Sequence, residues 1–148
     1  MIEGVVVKDL KIFSDEKGKV MHMLRSDDDL FKEFGEVYFS TINSGAIKGW
    51  KNHSKMTQHY AVPKGNIQLV IYDDRTDSAT KGEVQEVTLG LDNYRLVRIP
   101  RGVWYSFKAI GGEAAMIVNC TDLAYDPDEI TDIDIFDNDI PYKWKDND

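Results

Sequence analysis

Short runs of apolar or alternating residues recur along this chain, and turn residues separate them. Val, Ile, Tyr and Phe are frequent within the runs, and Gly, Asn, Asp or Pro occupy the breaks. The runs are GVVVKDLKIF, EVYFSTIN, NIQLVIYDD, EVQEVTL, YRLVRIP, VWYSFKAI and EAAMIVNC. Such spacing is typical of an all-β sandwich or barrel. We therefore predict one all-β domain over residues 1–148, in which only the closing KDND is free to fray.

One segment, SDDDLFKEFG, has helical rather than strand periodicity. Its apolar residues Leu30, Phe31 and Phe34 would share one face of a helix. A serine or aspartate at its start is a suitable N-cap, and the glycine at its end is a suitable C-cap. The pattern predicts one short helix near residues 27–34.

The charge and the apolar runs exclude several classes of function. A formal net charge of −8 disfavours a nucleic-acid partner, because binding phosphate backbones needs clustered Lys and Arg. No apolar run approaches the roughly 20 residues that span a bilayer, and the N-terminus lacks the pattern of a signal peptide. The single Cys120 is compatible with a reducing compartment. We expect a cytoplasmic protein with no membrane partner.

Five segments in a fixed order carry a family resemblance along nearly the whole chain. They are FSDEKGKVMHMLR, SGAIKGWKNH, the stretch from GNIQLV to VWYSF, VNCTDLAYDPDE and DIDIFDNDIPYKW. Together they resemble the dTDP-4-dehydrorhamnose 3,5-epimerase family of the cupin superfamily. The resemblance implies a jelly roll (double-stranded β-helix), a homodimer that shares or exchanges strands, and no metal or organic cofactor. It also implies an isomerase or epimerase that removes a proton beside the keto group of an NDP-4-keto-6-deoxy sugar, in polysaccharide or deoxysugar biosynthesis.

The catalytic positions of the family are altered in this chain. Lys51 stands where the family has its base histidine, and Val118 stands where it has its acid tyrosine. A lysine acts as a base only where its surroundings lower its pKa far below about 10.4. The supporting aspartate matches Asp137, which could form an ion pair or a catalytic dyad with Lys51. Tyr105 follows the Pro-Arg-Gly corner, either as an aromatic in the barrel mouth or as a replacement acid.

The stretch GWKNHSKMTQH also resembles the motif of the sugar-nucleotide 3,4-ketoisomerases, in which His53 and Gln58 are the retained positions. Imidazole titrates near neutral pH, at about 6.5, so His53 is a candidate for proton transfer. The alternative is a hydrogen-bonded wall histidine. Metal-binding cupins use several histidines here, whereas this chain offers Lys51, His53, Gln58 and Tyr105. We therefore predict no metal site.

Substrate-binding positions of the family are better retained, and most of them are basic. A cation near a diphosphate is plausible chemistry, although the same residues could be exposed charges at strand ends. The candidates for substrate binding are Lys17, Arg25, Lys48, Gln58, His59, Arg75 and Tyr125.

Three interpretations follow from these patterns. The first is an enzyme with a rearranged proton-transfer set, and it predicts that His53, Tyr105 and Lys51 meet in one pocket. The second is a binding or partner subunit that holds a sugar nucleotide without reacting. The third is a scaffold whose barrel mouth is closed by Trp50, Trp104 and Tyr105.

Overall fold

Twelve β-strands form most of the regular structure of residues 1–145, the part of the chain that the computed structural model describes. The first six strands are β1 (Val6–Asp9), β2 (Ile12–Asp15), β3 (Gly18–Met21), β4 (Glu36–Ile42), β5 (Ile47–His53) and β6 (Gln58–Lys64). The other six are β7 (Asn66–Tyr72), β8 (Val84–Gly90), β9 (Arg95–Ile99), β10 (Trp104–Ile110), β11 (Ala115–Thr121) and β12 (Ile130–Asp132). A 3₁₀ turn at Pro127–Glu129 precedes β12. Apart from Lys145, the predicted frayed end KDND lies outside the described residues.

The strands form two five-stranded antiparallel sheets that face each other, and one separate hairpin. The first sheet has the order β1–β9–β6–β11–β4, the second has the order β12–β5–β10–β7–β8, and β2 pairs with β3. Their inner faces bury the main core, which includes Ile67, Leu69, Ile71, Leu89 and Ile117. The predicted all-β jelly roll is therefore confirmed. No helix among residues 1–145 is long and apolar enough to cross a bilayer.

The predicted helix near residues 27–34 is wrong, because residues 26–30 form turns and residues 31–34 have no regular secondary structure. The Asp28 carboxylate accepts the backbone N–H of Leu30 at 3.0 Å and the ammonium of Lys8 at 2.7 Å. Aspartate side chains that bond nearby backbone groups favour turns over helix interiors. The contact with Lys8 also ties the segment to β1, so tertiary contacts replace the helical hydrogen bonds.

Pro63 lies within β6, one residue before the end of that strand. The pairing of β6 with β11 shifts its register between Met116 and Val118, opposite this proline. An irregularity in the ladder leaves room for a residue that has no N–H to donate. The turn between β6 and β7 is at Gly65, and β7 is a largely buried strand.

A second apolar cluster covers the outer face of the β5–β10–β7 sheet. Trp50 and Val70 are fully buried there, beneath Ile140 and Trp144 of the C-terminal segment. The indole N–H of Trp144 donates to Ser106 Oγ at 2.9 Å. Trp104 belongs to the same cluster, so the prediction that the tryptophans close the barrel mouth is wrong.

Candidate functional site

A cavity of about 230 Å³ lies between the two sheets and opens at one end of the barrel. Apolar side chains form its inner walls, and lysines and tyrosines surround its mouth. Its lining comprises Tyr38, Ser40, Lys48, Gly49, Lys51, His53, Met56, Tyr60, Tyr105, Phe107, Ile117, Asn119, Tyr125 and Ile130. An apolar cavity with a few converging polar groups is the usual form of a small-molecule site.

The close pairing of β5 with β10 places Lys51, His53 and Tyr105 in one wall of the cavity. Gly49 has a φ of +115°, and a Cβ there would lie 2.7 Å from the Tyr105 carbonyl oxygen and 2.8 Å from Ser106 Cα. The pairing register shifts between Tyr105 and Ser106, next to this glycine. Glycine is required at this bulge because any side chain would collide with the neighbouring strand.

His53 and Glu129 form a buried pair at the base of the cavity. His53 is 5% exposed, and its Nδ1 donates to the Glu129 carboxylate. The other carboxylate oxygen accepts the backbone N–H groups of Lys55 at 3.0 Å and Met56 at 2.9 Å. Burial opposes ionisation of Glu129, but these hydrogen bonds outweigh it and lower its pKa. A charged Glu129 fixes the proton of neutral His53 on Nδ1, which leaves the Nε2 lone pair to accept a proton.

Tyr105 is the hydrogen-bond partner of that second nitrogen. Its hydroxyl lies 3.0 Å from His53 Nε2, and the two rings are stacked with an interplanar angle of 10°. Burial raises the pKa of Tyr105 and that of Tyr60 beside it. Both phenols are therefore neutral at physiological pH and able to donate hydrogen bonds.

A further tyrosine lines the cavity from the opposite sheet. Tyr38 lies on β4, and its hydroxyl accepts a hydrogen bond from Asn119 Nδ2 at 2.9 Å. Burial raises the pKa of Tyr38 as well. Because its oxygen is already an acceptor, its own proton is free to point into the cavity.

Two lysines supply positive charge to the cavity. Lys48 Nζ donates to the Thr41 carbonyl at 2.6 Å, and Lys51 Nζ contacts Asp132 at 2.6 Å. The side chain of Lys51 is 43% exposed. The expected partnership of Lys51 with Asp137 is wrong, since Asp132 of β12 takes that place and Asp137 is exposed in the C-terminal segment.

The structure distributes the predicted site residues over several places. His53, Tyr105, Lys51, Lys48 and Tyr125 all line the cavity. Gln58 is buried behind it and accepts a hydrogen bond from Asn119.

The four remaining candidates for substrate binding do not line this cavity. Lys17 lies in the β2–β3 turn, and Arg25 is exposed and paired with Asp27. His59 and Arg75 line a separate cleft outside the barrel.

Sequence reasoning missed Glu129 and Tyr38. Glu129 is one of many acidic residues in the late stretch of the chain, and it lies 76 positions from His53. Tyr38 belongs to a strand with an ordinary alternating pattern. The sequence indicates only that Tyr38, Ser40 and Ile42 share one face of that strand.

The described residues contain no group of three or more His, Cys, Asp or Glu side chains in a metal-binding arrangement. His53 lies beside Glu129 and Tyr105, and His59 lies in the other cleft.

Comparison with known proteins identifies the kinship of the chain. The sequence model described as dTDP-4-dehydrorhamnose 3,5-epimerase matches residues 1–148. The chain belongs to this epimerase family.

Several similar proteins match most of the chain. The probable low-salt glycan biosynthesis epimerase Agl13 of Haloferax volcanii is 38% identical over 133 residues, which cover 86% of this chain and 85% of the relative. The spore coat polysaccharide biosynthesis protein SpsL of Bacillus subtilis is 37% identical over 129 residues, covering 87% and 85%. A crystal structure of a dTDP sugar isomerase from Desulfovibrio desulfuricans G20 superposes with a TM-score of 0.94 at 45% identity, covering 97% of this chain and 92% of that one. Both the predicted family and the predicted isomerase class of enzyme are confirmed.

Proposed function

We propose that this protein is an epimerase of a nucleotide-linked 4-keto-6-deoxy sugar, working in polysaccharide biosynthesis, and that His53 is its base. The observation that carries the proposal is the buried Glu129–His53–Tyr105 chain inside the cavity of an epimerase-family barrel. It supplies a base beside an apolar cavity although the family's base position holds Lys51. A cytoplasmic location stays a prediction.

The size and charge of the cavity indicate how a nucleotide sugar would lie in it. Pockets for whole drug-sized ligands measure roughly 300–1,000 Å³, and this cavity of about 230 Å³ has room only for the sugar ring. Lys48 and Lys51 contribute cations to its lining, and the exposed Tyr125 offers an aromatic ring there. The diphosphate would contact these lysines, and the nucleoside would extend outward past Tyr125.

Inversion of a carbon needs a base on one face of the ring and an acid on the other. His53 of β5 removes the proton beside the keto group, and Glu129 stabilises the imidazolium that results. Tyr38 of β4 projects from the opposite sheet and returns a proton to the other face. Tyr105 donates its hydroxyl proton to His53 Nε2 in the resting site and so orients the ring. Once Nε2 carries the substrate proton, it donates to the Tyr105 oxygen, and the Tyr105 O–H becomes free to donate to the enolate oxygen.

The assignment of the acid gives a prediction for Tyr38→Phe. We expect the variant to exchange the substrate hydrogen with deuterated solvent, because His53 still removes it and returns a deuteron to the same face. Formation of the inverted product should fall about 10²–10⁴-fold, because the acid on the other face is missing. Proton NMR of the sugar in deuterated water measures exchange and configuration together.

Two further variants separate the roles of the tyrosines. Tyr72→Phe, in the outer cluster, should leave both exchange and inversion unchanged. If Tyr105→Phe loses inversion while Tyr38→Phe retains it, Tyr105 is the acid and our assignment of Tyr38 is wrong.

We also propose that the protein is a homodimer in which the β2–β3 hairpin of one copy covers β4 of the other. β4 is an edge strand, and its outward residues Val37 and Phe39 are 50% and 69% exposed. The hairpin has its own exposed apolar residues, Phe13 and Val20. Exposed apolar edges invite pairing with another chain. Such docking would bring Lys17 to the partner's cavity, and this would explain why a basic residue stands at that family position.

The double change Val37→Lys and Phe39→Lys tests this interface. Each substitution removes an apolar side chain from the interface, which costs about 1.5–3 kcal/mol of association free energy. The dimer dissociation constant should therefore rise at least about a hundredfold. Analytical ultracentrifugation across a dilution series measures it. Leu91→Lys, at an exposed turn, should leave association unchanged. A dimer of unaltered affinity in the double variant contradicts this interface.

The second candidate function is a sugar-nucleotide-binding subunit without chemistry, which the loss of the family's base histidine and acid tyrosine favours. Incubation with dTDP-4-keto-6-deoxyglucose and its CDP and GDP counterparts in deuterated water separates the two. Exchange beside the keto group supports the epimerase. Binding without exchange supports the second candidate, and neither binding nor exchange contradicts both.

A further inference from the structure

A second cavity, of about 580 Å³, lies outside the barrel interior. The loop that joins β5 to β6 separates it from the sugar cavity. Met56 of this loop faces the sugar cavity, whereas Lys55 and Thr57 line the outer cleft. The two cavities therefore share a wall but no lining residue.

The outer cleft concentrates positive charge in a chain whose net charge is −8. Its lining includes five cationic side chains, namely Lys32, Lys55, Arg75, Arg98 and Arg101, and one carboxylate, Asp122. Among residues 1–145, only Arg75 of the five belongs to an ion pair, with Asp73. The Asp122 carboxylate accepts the backbone N–H of Thr57 at 2.8 Å. The cleft is thus strongly positive with little internal compensation.

His59 lines this cleft and has a buried ring nitrogen without a hydrogen-bond partner among the described residues. The residue is 5% exposed, and its Nδ1 donates to the Cys120 carbonyl at 3.0 Å. That bond leaves the lone pair of the neutral ring on Nε2, which forms no hydrogen bond with any described residue. Burial lowers the pKa of His59 and Arg98 lowers it further, against the opposing effects of the nearby Cys120 and Leu30 carbonyls and of Asp122. Buried polar atoms in native proteins nearly always have a partner.

We propose that the outer cleft is a second ligand site, which binds a phosphate-bearing anion and couples its binding to protonation of His59. Arg and Lys side chains form strong charge-assisted bonds with phosphate oxygens. An anion beside the ring offsets the five surrounding cations and favours the imidazolium, which turns Nε2 from an acceptor into a donor. Affinity therefore rises as the pH falls through the titration of His59. The site depends on no residue of the proposed proton-transfer set.

Titration of the full chain with pyrophosphate tests the site. We expect saturable binding, measured by calorimetry, with a dissociation constant at least about tenfold weaker in Lys55→Gln/Arg101→Gln, because two charged donors are lost. Lys64→Gln/Lys81→Gln has the same change in net charge at exposed positions outside the cleft, and it should bind as the unaltered chain does. Sulfate, whose charge is constant between about pH 6 and pH 8, should bind more tightly at the lower pH, and His59→Gln should lose that dependence.

A second titration identifies the source of the phosphate. In Lys48→Gln/Lys51→Gln, which weakens the sugar cavity, binding of dTDP to the outer cleft would assign the site to nucleotides. Binding of pyrophosphate alone would assign it to free inorganic anions. The proposal is overturned if pyrophosphate does not saturate, if Lys55→Gln/Arg101→Gln binds it as tightly as Lys64→Gln/Lys81→Gln does, or if only Lys48→Gln/Lys51→Gln abolishes binding. None of these results bears on exchange of the sugar hydrogen, so the proposed epimerase is tested separately.

Discussion

His53→Asn is expected to abolish measurable exchange of the substrate hydrogen in deuterated water, together with epimerisation. General-base catalysis contributes about 10²–10⁴-fold, and the described lining of the cavity offers no other imidazole. Glu129→Gln should retain the fold but lose between about tenfold and 10⁴-fold in kcat, because the imidazolium then has no carboxylate to stabilise it. Both variants should bind the nucleotide sugar nearly as before, because the proposed diphosphate contacts are Lys48 and Lys51. Single-turnover NMR with dTDP-4-keto-6-deoxyglucose measures the loss.

The control for this pair is Glu113→Gln, the same change at an exposed turn between β10 and β11. It should have the activity of the unaltered chain. Exchange at the normal rate in His53→Asn would show that another group is the base, and Lys51→Met would be the next variant to test. Full activity in Glu129→Gln would reduce Glu129 to a structural partner of the β5–β6 loop.

Asp73→Asn is expected to cause the largest loss of stability. Asp73 is fully buried, and its carboxylate accepts bonds from Arg75 Nε at 2.9 Å, Ser78 Oγ at 2.5 Å and Thr80 Oγ1 at 2.6 Å. Arg75 also donates to the Glu3 carbonyl at 2.6 Å, so the network joins the N-terminus to the β7–β8 loop. Breaking a buried ion pair costs about 3–5 kcal/mol. Thermal unfolding should therefore occur roughly 10 °C lower, which calorimetry measures.

The same network predicts how stability depends on acidity. Burial opposes ionisation of Asp73, but the hydrogen bonds from Arg75, Ser78 and Thr80 outweigh it and hold its pKa well below the ordinary range. The stabilisation is therefore complete above the unfolded value of about 3.9 and is lost as the pH falls from there towards the folded pKa. The difference in melting temperature between the unaltered chain and Asp73→Asn should shrink in that acid window.

Asp74→Asn is the matched control, since Asp74 is the exposed neighbour of Asp73. It should change the free energy of unfolding by less than about 0.5 kcal/mol. If Asp73→Asn and Asp74→Asn melt together at neutral pH, the network does not stabilise the fold.

Local patterns in the sequence were sufficient for most of the strands but not for β3, β5, β6 and β12, and they were misleading for the one predicted helix. Alternation of apolar and polar residues depends only on which face of a strand is buried, so runs such as EVYFSTIN and VWYSFKAI become β4 and β10. The segment SDDDLFKEFG has helical spacing, but the contacts of Asp28 with Leu30 and Lys8 decide its conformation. One of those partners is 20 positions away, outside the range of any local pattern.

In the candidate site, too, local motifs identified some residues and missed others. The sequence identified His53, Tyr105 and the two lysines, because a motif within one or two strands places them. It attributed to Asp137 a role next to Lys51 that Asp132 fills, and it offered nothing to distinguish Glu129 among its acidic neighbours.

The sequence alone therefore determined the all-β fold, the family and a histidine in a strand that lines the cavity, because these depend on periodicity and on short motifs. Only the tertiary structure decided that His53 has a buried carboxylate partner, that Tyr38 faces it from the other sheet, and that His59 belongs to a different cleft. These depend on which strands become neighbours and which face each side chain takes. Pairing over more than 70 positions sets both, and no local stretch of sequence contains that information.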